Sequence, residues 1–404
     1  MQFTQDMLAS QMRGLSGSAI REIFHLLAKP GMISFAGGNP AASALEPEVI
    51  SEIGREALEK HGWTILQYGA TEGFAPLRES ISEYVKGAGV AARPERILPT
   101  QGSQQAMDLL AKALLNPGDA VLVESPTFLG ALHTLRTYRA DLKALETDEN
   151  GVIVEAAEEA IRRYRPKLMY VIPTFQNPTG RTLALERRKQ LAVLAAKYGV
   201  VLAEDDPYRD VRFTGEPLPS IKSFDESGWV VYLGSFSKVI APGLRVGYAV
   251  VDNEELLKKM VIGKQATDVH SPLLNQAIVD GYLRSGRMPK HLERICADYK
   301  TRLQVMLEGL GKLPPSVTHT RPEGGLFVWA QLPEGADALK MLKMAIEKNV
   351  AFVPGTHFYF DGGRLNTLRL NFSNGKSEDV AEGMARLTPV ILETLESIKT
   401  EGSK

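Results

Sequence analysis

The sequence predicts an α/β protein whose large domain has a mainly parallel sheet between helices, followed by a smaller α+β domain. Between about residues 100 and 250, short runs of branched apolar residues alternate with longer amphipathic segments, whereas the last hundred residues combine a long helix with alternating strands. At 404 residues the chain exceeds the usual size of one domain. We expect an N-terminal segment at 1–45 that packs with the small domain, a large domain at 46–285 and a small domain at 286–404.

Five apolar runs predict the main strands of the large sheet. They are rich in Val, Leu and Ile at successive positions, which indicates strands covered on both faces. Amphipathic segments separate them, and one of these, 183–199, ends at Gly199 as helices commonly do. The five runs are 120–124, 168–172, 200–205, 229–235 and 245–251.

The end of the chain has a different pattern. A long helix near 289–311 leads to VTHT and GLFVWAQL, which alternate as half-buried strands do. The remaining elements are a helix at 337–348, strands in VAFVP and TLRLNF, and a helix near 377–398. Together they predict the smaller α+β domain.

Charge and composition exclude several classes of protein. Lys and Arg total 47 against 48 Asp and Glu, so no basic surface for nucleic acid or membranes is expected. The single cysteine, Cys296, excludes an internal disulfide and a multi-cysteine metal site, and we expect no metal. No apolar run approaches the ~20 residues that span a bilayer, and the polar start MQFTQDMLAS does not resemble a signal peptide. We therefore expect a cytoplasmic protein.

Polar residues follow the predicted strands at the edge of the sheet where ligands of α/β proteins gather. Gly102, Ser103 and Gln104 begin a helix, whose free backbone N–H groups favour a phosphate. The others are Asn177, Asp205, Tyr208, Ser235, Ser237, Lys238 and Arg245. Each motif alone is weak evidence for a functional site, because a helix cap, a turn or a solvated lysine explains it equally well. In this order they suit a cofactor with a phosphate, a phenolic oxygen, a ring nitrogen and an aldehyde, which is pyridoxal 5′-phosphate.

Four segments extend this interpretation. SFSKVIAPGLRVGY resembles the cofactor-lysine signature of class I/II aminotransferases, which are fold-type I enzymes, and VVLAEDDPY, NPTG and LRLNFS are similar to the matching elements in the same order. The opening IREIFHLLAKPGMISFAGGNP resembles the kynurenine/2-aminoadipate aminotransferase subgroup. The resemblance extends from about residue 13 to about residue 395. It implies a ping-pong transfer of an amino group from an amino acid to a 2-oxo acid, such as 2-oxoglutarate or pyruvate, in amino-acid metabolism and biosynthesis.

The resemblance also implies a role for each residue at the sheet edge. Lys238 carries the cofactor as a Schiff base and moves the substrate proton, and Asp205 pairs with the pyridine nitrogen. Asp206 is adjacent, but the three-residue step to Tyr208 favours Asp205. Tyr208 and Asn177 bind the phenolic oxygen, and Phe128 in ESPTFLG stacks on the ring unless it is simply core. The implied phosphate ligands are Gly102, Ser103, Gln104, Ser235, Ser237 and Arg245.

Substrate and partner contacts are implied in the same way. Arg369 in TLRLNFS is the candidate for the α-carboxylate, with a structural salt bridge as the alternative, and Asn177 and Gly38 also contact the substrate. Arg21 either meets an acidic substrate side chain or is a solvated helix arginine. Tyr68 resembles a tyrosine that reaches the phosphate of the neighbouring subunit. His270 and Ser271 resemble partner contacts, which implies a homodimer with shared active sites.

Two alternatives remain open from the sequence. Another reaction of the same cofactor, such as a β-lyase, uses much the same residues, because the cofactor supplies most of the chemistry. A non-enzymatic protein that binds the cofactor is the second alternative. The loop GGNPAASALEP departs from the subgroup, so the preferred substrate cannot be taken from it.

Overall fold

The computed structural model describes residues 4–13, 15, 17 and 31–401. Arg21 and the predicted helix that begins at IREI lie outside these residues. The described chain contains eleven α-helices and fifteen short strands. It forms a large sheet flanked by helices and a smaller antiparallel sheet near the C-terminal end.

The helices alternate with strands through the large domain and then enclose the small sheet. In chain order they are α1 (Pro47–His61), α2 (Ala75–Val85), α3 (Ser103–Leu114), α4 (Leu129–Thr137), α5 (Val154–Tyr164), α6 (Leu185–Tyr198), α7 (Glu254–Asp268), α8 (Leu273–Arg284), α9 (Met288–Leu310), α10 (Ala338–Glu347) and α11 (Ser377–Glu401).

The strands are two to six residues long and belong to four sheets. They are β1 (Ile33–Ser34), β2 (Ile97–Thr100), β3 (Ala120–Glu124), β4 (Asp141–Leu145), β5 (Thr147–Asp148), β6 (Gly151–Val152), β7 (Leu168–Val171), β8 (Val201–Asp205), β9 (Val230–Ser235), β10 (Gly247–Val250), β11 (Thr318–His319), β12 (Phe327–Gln331), β13 (Val350–Ala351), β14 (Val353–Pro354) and β15 (Thr367–Asn371).

The large sheet has seven strands in the order β2-β10-β9-β8-β7-β3-β4. The pairs from β4 through β9 are parallel, which confirms the predicted mainly parallel sheet. β10 is antiparallel to both of its neighbours. Its first residue therefore lies at the edge where the parallel strands end. β2 and β4, which the apolar runs did not predict, complete the sheet.

Successive residues of the central strands pack into two separate hydrophobic cores, one on each face of the sheet. Val121 and Val123 pack on the face covered by α3, α4 and α7, whereas Leu122 packs on the face covered by α5 and α6. Leu168 and Met169 divide in the same way. The continuous apolar runs in the sequence follow from this arrangement, because both faces of the sheet are buried.

The small sheet is antiparallel, in the order β11-β12-β15-β14. The prediction of a half-buried strand at GLFVWAQL is wrong, because Phe327 to Ala330 are all buried. Phe327 contacts Tyr208 of the large domain, with ring centroids 5.9 Å apart, so this face of the strand is covered by the other domain. VAFVP divides into β13, which pairs with β1, and β14, which pairs with β15.

The described residues contain neither a membrane-spanning helix nor a metal-binding cluster. None of these helices combines the length and apolar character needed to cross a membrane. No group of His, Cys, Asp and Glu in the same part of the chain is arranged to hold a metal ion.

A fully buried arginine fixes the loop that follows β7. Arg188 Nη2 donates to the carbonyl oxygen of Pro173 at 2.8 Å and to Thr174 Oγ1 at 3.1 Å. Its Nε donates to the carbonyl oxygen of Leu183 at 3.0 Å, and its Nη1 to that of Pro219 at 3.0 Å. This loop continues to Asn177, so the hydrogen bonds of Arg188 help to position that residue of the predicted site.

We expect Arg188→Met to lower the free energy of unfolding by about 3 kcal/mol or more, because it leaves buried carbonyl oxygens without donors. Chemical denaturation measures the change. The matched control is Arg187→Met, which removes a partly exposed pair with Asp148 and should cost about 1 kcal/mol or less. Equal losses for the two variants would contradict the role given to Arg188.

Candidate active site

A cavity of about 440 Å³ lies at the carboxyl edge of the large sheet, where it meets the small sheet. Most of the residues that the sequence predicted line this one cavity. They are Gly38, Gly102, Ser103, Gln104, Phe128, Asn177, Asp205, Tyr208, Ser235, Ser237, Lys238, Arg245 and Arg369.

Strand direction brings these residues together. Asp205 and Ser235 are the last residues of β8 and β9, and Gly102 follows β2. Arg245 precedes its strand, but β10 is antiparallel, so its beginning lies at the same edge. Arg369 enters from β15 of the small sheet.

The start of α3 and the loop after β9 form a concave polar surface, here called the cradle, which consists of Gly102, Ser103, Ser235, Ser237 and Arg245. Gly102 has φ +80°, and a Cβ at this position would lie 2.6 Å from Arg245 Nη2, so only glycine fits. The hydroxyls of Ser235 and Ser237 are 3.0 Å apart. First-turn N–H groups, hydroxyls and a guanidinium together suit a phosphate dianion.

Gln104 differs in part from its expected role. Its side-chain amide donates to the carbonyl oxygen of Gly130 at 2.8 Å and to Thr134 Oγ1 at 2.6 Å, both on α4. The amide group is therefore engaged away from the cradle. Gln104 can reach a phosphate through its backbone N–H, because first-turn N–H groups have no partner within the helix.

Lys238 projects into the cavity, and its Nζ donates to the carbonyl oxygen of Gly38 at 2.8 Å. Burial, together with the cations Arg369 and Arg245, lowers the pKa of Lys238 to about 8. A substantial fraction of the amine is therefore neutral near pH 8. The neutral amine is the form that attacks a carbonyl or accepts a proton.

Asp205 lies at the end of β8, in the wall of the cavity. Its Oδ2 accepts a hydrogen bond of 2.6 Å from the hydroxyl of Tyr170, whereas its buried Oδ1 has no hydrogen-bond partner among the described residues. Burial raises the pKa of Asp205 to about 6. Asp206 is also buried but does not line this cavity, and its Oδ2 accepts from the hydroxyl of Tyr232 at 3.3 Å.

Arg369 spans the gap between the domains. Its Nη1 donates to Asn177 Oδ1 at 2.9 Å, and its Nη2 donates to the carbonyl oxygen of Ala36 at 2.6 Å. The guanidinium lies 4.2 Å from the ring centroid of Phe327, and its Nε has no hydrogen-bond partner among the described residues. Burial lowers its pKa to about 10. The structural salt bridge considered as an alternative is not found among the described residues.

Residues 30–387 match the family model for aminotransferase class I and II. The chain is 41% identical over 389 residues to aromatic-amino-acid aminotransferase 1 of Thermococcus litoralis, covering 95% of this chain and 93% of that protein. It is 43% identical over 377 residues to 2-aminoadipate transaminase of Thermus thermophilus, covering 92% and 93%. The structure of Pyrococcus horikoshii kynurenine aminotransferase in complex with PMP superimposes with a TM-score of 0.92, at 40% identity, over 97% of this chain and 98% of that one.

The chain belongs to the class I and II aminotransferase family. It is therefore a pyridoxal-phosphate-dependent enzyme that transfers amino groups, which confirms the fold, the activity and the cofactor predicted from the sequence.

The cavity of this aminotransferase fits pyridoxal phosphate. The unpartnered Oδ1 of Asp205 is a buried acceptor that a protonated ring nitrogen would satisfy. The cradle offers donors for a phosphate, and Lys238 offers an amine between these two regions. When bound, the cofactor acts as an electron sink that weakens the bonds to the substrate Cα.

Three contacts in the site were not predicted from the sequence. Tyr170 donates to Asp205 from within β7, and Phe327 and Phe358 flank the guanidinium of Arg369, at 4.2 and 5.0 Å from their ring centroids. A tyrosine inside the apolar run LMYVI was the only available signal for Tyr170. Neither phenylalanine has a local pattern that indicates this contact, because Phe327 begins an apolar strand and Phe358 ends the short 3₁₀ turn Gly355–Phe358.

Tyr68 does not line the cavity of its own chain. Its side chain is 79% exposed, and its ring lies 6.0 Å from that of His270. This aminotransferase therefore presents Tyr68 on its surface, apart from the residues that line the cavity.

We expect Asp205→Asn to bind pyridoxal phosphate but to turn over at least about a hundredfold more slowly, because an amide has no charge to hold the ring proton. Asp206→Asn is the matched control, since it is adjacent, buried and outside the cavity. Absorbance of the bound cofactor and steady-state rates separate binding from turnover. A large loss for Asp206→Asn with normal activity of Asp205→Asn would reverse the assignment.

Proposed function

We propose that this aminotransferase moves the amino group of neutral, aromatic and acidic amino acids to 2-oxoglutarate or pyruvate by a ping-pong mechanism. The single observation that carries the proposal is the convergence in one cavity of Lys238, Asp205 and Arg369. The amine has a lowered pKa, the carboxylate lacks a partner on one oxygen, and the guanidinium lacks a carboxylate among the described residues.

The same geometry supports a role for each cavity residue. Asp205 would hold the proton on the ring nitrogen, and Asn177 and Tyr208 would donate to or accept from the phenolic oxygen. Phe128 would cover the ring face. The cradle, together with the backbone N–H of Gln104, would bind the phosphate.

Lys238 would carry the proton between the substrate Cα and the cofactor carbon. Its pKa near 8 supports this role, because a base must lose its proton at working pH and then regain one. The cations Arg369 and Arg245 favour the neutral amine, whereas Asp205 opposes them.

Arg369 would bind the α-carboxylate that every amino-acid and 2-oxo-acid substrate carries. Its free Nε and its position beside Gly38 and Asn177 support this role. The names of the relatives, which include enzymes for aromatic amino acids, 2-aminoadipate and kynurenine, support a broad range of side chains. Arg21, which lies outside the described residues, remains the candidate to meet an acidic side chain.

We also propose a cytoplasmic homodimer with shared active sites. A single segment exposes Trp63 at 76%, Leu66 at 67% and Tyr68 at 79%, which is a large apolar surface for a monomer. A second copy of the chain would bury these side chains and would bring Tyr68 to the partner's phosphate. His270 lies beside Tyr68 and would join the same contact.

The activity is tested by its half-reactions. An amino donor alone should convert the bound cofactor to its amine form, seen as an absorbance change, and 2-oxoglutarate or pyruvate should reverse that change. Lys238→Ala should show neither change. Release of ammonia and pyruvate from the donor, without any acceptor, would instead indicate a β-lyase.

A screen of leucine, phenylalanine, glutamate and 2-aminoadipate as donors tests the proposed substrate range.

Arg369→Ala should raise KM for donors and acceptors alike, because both carry an α-carboxylate. Loss of a charge-assisted pair costs about 2–5 kcal/mol, or roughly 30-fold and upwards in KM. Arg364→Ala, five residues earlier on the exposed surface, is the matched control and should leave KM unchanged. Unchanged KM in a folded Arg369→Ala protein would make Arg369 structural.

A further inference from the structure

A buried ion pair lies behind the cradle, outside the cavity. Lys264 on α7 has a fully buried side chain, and its Nζ is 2.9 Å from Asp268 Oδ2 at the end of the same helix. Neither residue lines the cavity. A lysine is rarely buried completely, because removing its charge from water is costly even when a carboxylate is nearby.

The pair is linked by hydrogen bonds to two glutamines at the start of α3. Lys264 Nζ donates to Gln105 Oε1 at 3.0 Å, and the same oxygen accepts the backbone N–H of Gln101 at 2.8 Å. Asp268 Oδ2 accepts from Gln101 Nε2 at 2.7 Å and from Gln105 Nε2 at 2.8 Å. The ion pair therefore fixes both the side chain and the backbone N–H of Gln101.

Gln101 in turn binds Arg245 of the cradle and directly precedes Gly102, the cradle residue at the start of α3. Its carbonyl oxygen accepts from Arg245 Nη2 at 2.9 Å, which orients the guanidinium. The next residue, Gly102, is the N-cap of α3 and holds the positive φ that the helix start requires. A displacement of Gln101 would thus move the arginine and the first N–H groups of the helix together.

We propose that Lys264 and Asp268 are positioning residues for the cofactor phosphate, which act through Gln101 and Gln105. The inference rests on the proposed phosphate role of the cradle. Lys264 has three N–H donors, and they satisfy Asp268, Gln105 and Ser271, so its orientation is fully determined. Groups that orient a ligand-binding shell in this way commonly alter affinity without touching the ligand.

The third contact of Lys264 extends the network to a different part of the surface. Ser271 Oγ accepts from Lys264 Nζ at 2.9 Å, and the carbonyl oxygen of Ser271 accepts from Gln276 Nε2 at 2.8 Å. Gln276 Oε1 accepts the backbone N–H of Phe74 at 2.8 Å, in the segment that follows Tyr68. The cradle and the segment that follows Tyr68 are therefore connected by one continuous set of hydrogen bonds, which is buried at Ser271 and exposed at Arg245.

A second ion pair provides a control for purely structural effects. Lys222 and Asp225 are also buried, at 3% and 0% exposure, and their charged atoms are 2.8 Å apart. Asp225 Oδ2 accepts the backbone N–H of Val230 at the beginning of β9, which is the edge of the sheet opposite the cradle. Loss of this pair removes a comparable interaction without reaching the phosphate.

The test compares pyridoxal phosphate with pyridoxal, which lacks the phosphate. The dissociation constant of each is measured with the apoenzyme from the absorbance of the bound form. Lys264→Met should raise the dissociation constant of pyridoxal phosphate by about 10- to 100-fold, as loss of an orienting group does. The dissociation constant of pyridoxal should change little. Lys222→Met should leave both constants unchanged. A loss of affinity that is equal for the two ligands would overturn the inference, because it would indicate general destabilisation.

Two further variants keep the outcome decisive. Asp268→Asn retains the shape of the side chain, so it replaces Lys264→Met in the test if that variant does not fold. It should weaken the binding of pyridoxal phosphate but not that of pyridoxal. Arg245→Ala tests the cradle itself. If the Arg245→Ala protein no longer binds pyridoxal phosphate more tightly than pyridoxal, but the Lys264 and Asp268 variants still do, only the positioning role fails. If Arg245→Ala also keeps that preference, the phosphate assignment of the cradle fails.

Discussion

The hydrogen bond from Arg369 to Asn177 joins the small sheet to the large sheet across the cavity. The same guanidinium reaches the carbonyl oxygen of Ala36, so one side chain holds together a strand, a loop and the N-terminal segment. Such an arginine is costly to bury, and aromatic rings on both sides offset only part of that cost. Its Nε has no hydrogen-bond partner among the described residues, and the same side chain lines the cavity, so the interdomain contact forms part of the cavity wall.

Burial has a consistent effect on the charged groups around this contact. It lowers the pKa values of Lys238 and Arg369 and raises that of Asp205, so each group is held closer to neutrality than it would be in water. Under the proposed function, a protonated ring nitrogen beside Asp205 and a substrate carboxylate beside Arg369 would each meet a group of opposite charge.

Behind the cavity, buried polar groups do most of the positioning. Arg188 fixes the loop that leads to Asn177, Tyr170 holds Asp205, and Lys264 with Asp268 holds Gln101. None of these is a surface group, and each satisfies several backbone or side-chain partners. They hold residues that line the cavity or lie next to it, many of which are on loops and strand ends where the regular hydrogen bonds of helices and sheets do not fix the chain.

The sequence by itself determined five of the seven strands of the large sheet and the polar residues that follow them, because a polar residue after a buried apolar run can be identified locally. It also singled out Lys238, since SFSKVIAPGLR is distinctive as a segment. Only the tertiary structure decided that β10 is antiparallel, which places Arg245 at the cradle, and that Asp206, although buried beside the Asp205 that the sequence favoured, lies outside the cavity. It also decided that the amide of Gln104 points towards α4 and that Arg369 meets Asn177, 192 residues away in the chain. These outcomes depend on strand order and on partners distant in sequence, and no local pattern of residues contains that information.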